Sequence, residues 1–261
     1  MTLGLAPGKH LQVFAPGGPH FDGEKKGEWN GRPDKEHGDD EIMRKYTPTT
    51  SDRDAVGYVD LVLRVYRGRG GVGAIDRFPD GGKMSQYLES LPIGSLVDVK
   101  GPVGIHEYKG QGMFLDGKTK VCGSKIGMIA GGTGITPMLQ IIKAVLDNPR
   151  DHSTLWLLFA NREVDDILVR DYLEEYFKRY SGRLHLWYTL EQPPEHWTEN
   201  SFSDGIGRSA GFVTASMMSE ALPPPSDDSV VLCCGPPPMI DFACKPGLAE
   251  VGYDKSRIIL F

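Results

Sequence analysis

The sequence predicts two domains of different class: a small antiparallel β-barrel domain over residues 1–110, followed by an α/β domain with a parallel sheet over 125–261. Three observations carry this. Short β-patterned runs closed by Gly and Pro turns occupy the first hundred residues. Apolar runs alternate with helically patterned segments in the second half, the signature of a parallel sheet covered on both faces. The length, 261 residues, accommodates two cores of moderate size. Residues 111–124 are expected to be the linker.

The elements follow in order. Residues 10–15 (HLQVFA) form a first strand. From Pro16 to Glu41 the chain is Gly, Pro, Asp, Glu, Lys and His, with Phe21 and Trp29 as its only large apolar residues. That composition predicts an exposed insertion between two strands. Residues 56–66 (VGYVDLVLRVY) are β-branched, aromatic and partly alternating, and predict a strand; Ser85 to Leu91 is helical; residues 95–100 (SLVDVK) predict a strand stopped at Gly101-Pro102. Beyond the linker, 126–130 (IGMIA), 154–160 (TLWLLFA), 184–190 (LHLWYTL) and 230–234 (VVLCC) read as buried strands. Residues 138–147, 166–179 and 215–221 read as helices.

A net charge of −6 argues against a nucleic-acid partner, because phosphate binding is driven by basic patches. No apolar run approaches the ~20 residues that span a bilayer, and residues 1–10 lack the apolar core of a secretory signal. Cys122, Cys233, Cys234 and Cys244 include no CxxC pair. A reducing, cytoplasmic compartment fits them better than a disulfide framework or zinc site. The seven histidines are scattered; His20 and His37 fall in the insertion and read as solvated, so no metal site is expected.

Five segments carry candidate chemistry. Arg44-Lys45-Tyr46-Thr47-Pro48 joins a guanidinium fork, suited to a pyrophosphate, to a ring that can stack on a flat heterocycle; a surface Arg–Tyr pair on a strand is the plainer reading. Gly81-Gly82-Lys83-Met84-Ser85 leads into a helix whose free N–H groups and positive dipole end suit phosphate, or it is an ordinary helix start. Gly131-Gly132-Thr133-Gly134-Ile135-Thr136-Pro137 follows a strand and precedes a helix, where glycines let a ligand approach the backbone. Cys234-Gly235-Pro236-Pro237-Pro238 ends another strand with a rigid loop. Cys233 should face the other way and stay in the core. Glu191 ends a third strand, placed to accept ribose hydroxyls and repel a 2′-phosphate, or to sit solvated in a loop.

In this order the motifs resemble the cytochrome b5 reductase family of the ferredoxin–NADP reductase superfamily, with a lean towards the FAD/NADH domain of eukaryotic nitrate reductase. The matching segments include RKYTPTT, DLVLRVY, FPDGGKMSQYLESLPIGS, IGMIAGGTGITPMLQIIKAVL, LWYTLE, VLCCGPPPMI and the closing Phe261. The resemblance implies an FAD-binding first domain and an NADH-binding second domain. Hydride would pass from NADH to FAD, and single electrons onward to a b5-type haem. It implies that Arg44 binds the FAD pyrophosphate, Tyr46 packs on the isoalloxazine and Thr47 lies near flavin N5. Val62 and Arg64 would flank the flavin, with Arg64 where the family usually has Lys. Lys83, Met84 and Ser85 would hold the pyrophosphate, and Thr136 would touch FAD from the second domain. Gly132, Thr133, Cys234, Gly235 and Pro236 would line the nicotinamide nucleotide site, with Glu191 as the acid of NADH-preferring members. Thr47, Arg64 and Cys234 are the catalytic candidates.

Members of the family usually begin with about two further strands and carry a short turn where this chain has 16–41. The barrel is therefore expected to be N-terminally incomplete, with open strand edges. Two other functions share these residues: a nucleotide-binding or interaction module without flavin, and a superfamily reductase with another acceptor. No cysteine cluster for an iron–sulfur centre is present, which counts against a fused ferredoxin.

Overall fold

The computed structural model describes residues 3–17, 27–50, 55–71, 78–197 and 204–261. The chain forms two compact units, one of residues 10–48 and 60–103, the other of residues 1–9, 49–59 and 104–261.

The smaller unit is built on β1 (His10–Pro16), the two-residue strands β2 (Glu28–Trp29) and β3 (Arg32–Pro33), β4 (Glu41–Tyr46), helix α1 (Lys83–Ser90) and β5 (Val99–Val103). Its main sheet is antiparallel in the order β4-β1-β5, while β2 and β3 pair as a separate hairpin. In β1 the side chains of Leu11, Val13 and Ala15 are buried at every second position, which is the period of a strand with one covered face. Val13, Ala15, Ile42 and Met84 form the core, with Tyr46, Leu61, Tyr87 and Leu88 packed against it.

The larger unit holds an antiparallel meander of β6 (His106–Gly110), β7 (Met113–Asp116) and β8 (Thr119–Cys122). After it come β9 (Lys125–Gly131), α2 (Ile135–Leu146), β10 (Thr154–Asn161), α3 (Arg170–Arg179), β11 (Leu184–Leu190), β12 (Gly207–Ala210), α4 (Ala215–Ala221), β13 (Ser229–Cys234), α5 (Lys245–Val251) and β14 (Ile258–Leu260). The six strands β12-β11-β10-β9-β13-β14 make one parallel sheet. Both faces are covered. Met128 packs with α2 residues such as Ile141, while Ile129 and Cys233 pack with Met218 of α4 and Leu248 of α5. The chain order reverses at β9, which lies between β10 and β13; this is where open α/β sheets place ligands.

The antiparallel-then-parallel architecture is the one the sequence predicts, and Cys233 is in the core as expected. Four elements differ. The stretch 111–124 carries β7 and β8 rather than a linker, because Phe114 and Val121 join the large core. Among the described residues, 56–66 has no ladder. The Tyr66 N–H goes to Ser85 Oγ and its carbonyl accepts from Gly82, so tertiary partners take the groups a sheet would use. The strand expected at 95–100 is displaced to Val99–Val103. It continues through Pro102, which an edge strand tolerates since it needs no inward N–H there. The helix expected at 166–179 is split into a 3₁₀ turn, Val164–Asp166, and α3, with Val169 at φ 52° between them.

The described part of the insertion is mostly exposed and lies between β1 and β4, as expected, but it is docked at specific points. Phe21 and His20 lie outside the described residues. Residues 27–41 do not extend freely into solvent: Trp29 Nε1 donates to the Gly81 carbonyl at 2.9 Å, and Asn30 exchanges hydrogen bonds with Asp80 at 2.6 and 2.8 Å.

Candidate functional site

In the smaller unit the Gly81-Gly82 turn opens α1. Gly81 sits at φ 74°, and a β-carbon there would collide with the Tyr66 carbonyl, so only glycine fits. Gly82 caps the helix with no side chain of its own to accept from the first-turn N–H groups, and the first intrahelical backbone bond is Gln86 N–H to the Gly82 carbonyl. The N–H groups of Lys83, Met84 and Ser85 thus precede the helical ladder and form an anion-attracting end. The Met84 side chain is core, so that residue offers only backbone. The Ser85 hydroxyl accepts from Tyr66 N–H at 3.1 Å and donates to the Gly82 carbonyl at 3.0 Å, which ties the turn together.

Lys83 and Arg44 are the two cations expected here. The Lys83 side chain is 4% exposed and meets both Asp34 oxygens at 2.7 and 2.9 Å, with Glu36 at 3.5 Å. Arg44, which pairs with Val13 across the sheet, makes a two-pronged contact with Glu36 at 2.5 and 3.0 Å. Burial alone would raise the Asp34 carboxyl, but its hydrogen bonds to Lys83 and to the Glu36 N–H bring it below its ordinary value. The Arg44 hydrogen bond holds Glu36 below its ordinary value, and Glu36 raises Arg44 in return. The donor set fits a pyrophosphate: two cations and an uncapped helix start. The residues that sequence reasoning missed are Trp29, Asp34 and Glu36, which sit in a Gly- and Pro-rich run that reads as solvated.

Tyr46 is the last residue of β4 and is half-buried, which raises its hydroxyl pKa; Thr47 follows it. Val62 and Arg64 lie on the segment before Tyr66, with the Arg64 guanidinium 5.7 Å from the Tyr66 ring.

In the larger unit β9 runs into a 3₁₀ turn, Gly132–Gly134, and then α2, whose Pro137 falls in the first turn where its missing N–H costs nothing. The Thr136 hydroxyl donates to the Thr133 carbonyl at 3.1 Å. This loop packs backbone to backbone on the one after β13. A β-carbon on Gly134 would strike the Cys234 carbonyl, and one on Gly131 would come within 2.9 Å of Pro236 Cδ. The structure thus brings Gly132 and Thr133 together with Cys234, Gly235 and Pro236 at the carboxyl edge of the sheet, at its switch point. Burial pushes the Cys234 thiol up to about 11, so it is neutral at ordinary pH. Glu191 stands two strands away, exposed just past β11, its N–H bonded to the Asn161 carbonyl at the end of β10 at 3.0 Å.

Comparison with known proteins finds two oxidoreductase domains in the chain. Residues 35–108 match the oxidoreductase FAD-binding domain and residues 128–245 the oxidoreductase NAD-binding domain. The chain is 45% identical over 260 residues to human NADH-cytochrome b5 reductase 1, covering 97% of this chain and 74% of the relative. The chain belongs to the cytochrome b5 reductase family. It is also 47% identical to the nitrate reductase [NADH] of Lotus japonicus, across 84% of this chain and 23% of that much longer protein. Among solved structures, the cytochrome b5 reductase domain of Ulva prolifera nitrate reductase superposes with a TM-score of 0.82 at 36% identity, over 100% of this chain and 87% of that one. As a member of this family the chain is an FAD- and NAD-binding oxidoreductase. Among the described residues no helix is long and apolar enough to cross a membrane.

Proposed function

We propose that this chain takes a hydride from NADH onto FAD and passes the electrons singly to a b5-type haem, as a stand-alone reductase or as the flavin domain of a nitrate reductase. Residues 1–110 serve FAD and residues 125–261 serve NADH. The observation that carries the reading is the meeting of the Gly131–Gly134 and Cys234–Pro236 loops at the sheet's switch point, in a chain matching both FAD- and NAD-binding oxidoreductase domains. The b5-type acceptor is supported by the relatives, whose names include both NADH-cytochrome b5 reductase and nitrate reductase [NADH].

When bound, FAD accepts two electrons as hydride and releases them one at a time, chemistry that belongs to the cofactor. The chain's residues bind and orient. Arg44 and Lys83 supply positive charge for the pyrophosphate, together with the first-turn N–H groups of α1. Tyr46 offers its ring face and Thr47 a hydroxyl to the flavin. Val62 supplies apolar cover, and Arg64 a fixed cation for negative charge on the reduced ring. Gly132, Thr133, Gly235 and Pro236 leave room for the nicotinamide nucleotide. Cys234, neutral and compact, shapes the nicotinamide pocket without taking a proton. Thr136 braces the first turn of α2. Glu191 selects a ribose with a free 2′-hydroxyl. A cytoplasmic setting suits the free cysteines.

Ferricyanide reduction by FAD-loaded protein tests the proposal. NADH should support turnover, with NADPH at least about tenfold poorer. Equal rates with the two nucleotides would remove Glu191 from the account, and no turnover with either would remove the reductase reading.

A further inference from the structure

Lys83 and Arg44, the cations assigned above to the FAD pyrophosphate, already have anionic partners inside the chain. Asp34, 8% exposed, grips Lys83 through both oxygens. Glu36 grips Arg44 through both oxygens and lies 3.5 Å from Lys83. Two carboxylates therefore present two negative charges to two cations, the charge a pyrophosphate would bring. The segment is also anchored just before Asp34. The Trp29 ring lies 5.2 Å from Lys83 Nζ, and its indole N–H and the Asn30 amide both donate to the Gly81 carbonyl at 2.9 Å. The segment docks on the same glycine turn that opens α1.

A cation this buried requires an anion beside it, and it cannot serve two at full strength. A tethered carboxylate acts at high effective concentration, so the segment is a strong local competitor. We propose that residues 27–41 form a built-in substitute for the pyrophosphate, with Asp34 and Glu36 holding Lys83 and Arg44 until FAD displaces them. FAD binding is then coupled to release of the segment, and the insertion sets how tightly the protein retains its flavin. This rests on Arg44 and Lys83 being pyrophosphate ligands.

The experiment titrates flavin-free protein with FAD and follows the quenching of flavin fluorescence, in wild type, Asp34→Asn/Glu36→Gln and Arg44→Leu. The double variant should bind FAD at least about tenfold tighter, since the competitor has lost its charge. Unchanged or weaker binding overturns the proposal. A second measurement needs no variant: trypsin cleavage of wild type after Lys35 should accelerate when FAD is added. Cleavage that slows or stays the same overturns it as well. Arg44→Leu separates the two ideas. If it binds FAD as well as wild type, the ligand assignment itself is wrong. If it loses FAD while the double variant matches wild type, the assignment stands and the competition alone fails.

Discussion

Gly134 and Cys234 touch through their backbones: the Gly134 α-carbon faces the Cys234 carbonyl so closely that no side chain fits between them. The contact locks the loop after β9 to the loop after β13. Gly134→Ala must push the two apart. The expected cost is about 1–3 kcal/mol of stability, the usual penalty of overpacking. The NADH KM should rise while FAD content stays normal. Chemical denaturation and steady-state kinetics on the purified variant check both parts.

Cys234 lies at the nucleotide edge of the sheet with its thiol pushed up to about 11 by burial. It carries no charge across the working range. Turnover between pH 6 and 9 should therefore show no inflection that Cys234→Ser removes. The rate of alkylation at Cys234, read by mass spectrometry, should climb through the alkaline range towards a midpoint near 11. A midpoint near 7 would mean an activated thiolate.

Asp34 and Lys83 are a buried pair with side chains 8% and 4% exposed. Removing one partner strands the other, so Asp34→Ala should destabilise the flavin-free protein by about 3 kcal/mol. The double variant Asp34→Ala/Lys83→Met should recover much of that loss. A double-mutant cycle on thermal unfolding measures the coupling.

The acid side of the stability curve follows from the same contacts. Asp34 and Glu36 both lie below their ordinary values of 3.8 and 4.5 in the folded chain. A depressed carboxyl contributes stability that is fully present above its unfolded pKa and disappears as pH falls through the folded value. Flavin-free protein should thus hold its unfolding midpoint down to about pH 5 and lose it steadily below pH 4. In Asp34→Asn/Glu36→Gln that acid loss should shrink.

Glu191 is exposed at the carboxyl end of β11, away from any structural demand on its side chain. Glu191→Thr should leave stability unchanged and raise the kcat/KM for NADPH relative to NADH by roughly tenfold, about 1.4 kcal/mol. An unchanged ratio would place the 2′-phosphate discrimination elsewhere.

The parallel-sheet unit was readable because its strands are continuous apolar runs, buried on both faces whatever their partners. IGMIA and VVLCC could be little else, and the Ala215–Ala221 helix falls where its spacing puts it. The smaller unit was harder. Residues 56–66 have strand composition, yet the backbone of Tyr66 is satisfied by Ser85 and Gly82, a choice made by tertiary neighbours and invisible to local pattern. The glycine turns of the candidate site were legible because glycine marks places where backbone must come close. Asp34 and Glu36 were not: a carboxylate in a polar, glycine-rich run looks solvated until the fold sets a buried lysine beside it.

The central claim is the direction of electron flow through one chain. Anaerobic stopped-flow tests it by mixing FAD-loaded protein with NADH and following flavin absorbance, then mixing the reduced protein with ferric cytochrome b5 and following the haem. The account predicts that NADH bleaches the flavin and that each reduced protein then reduces two haems in sequence. Flavin that stays oxidised under excess NADH, or haem that stays ferric beside reduced protein, would contradict it.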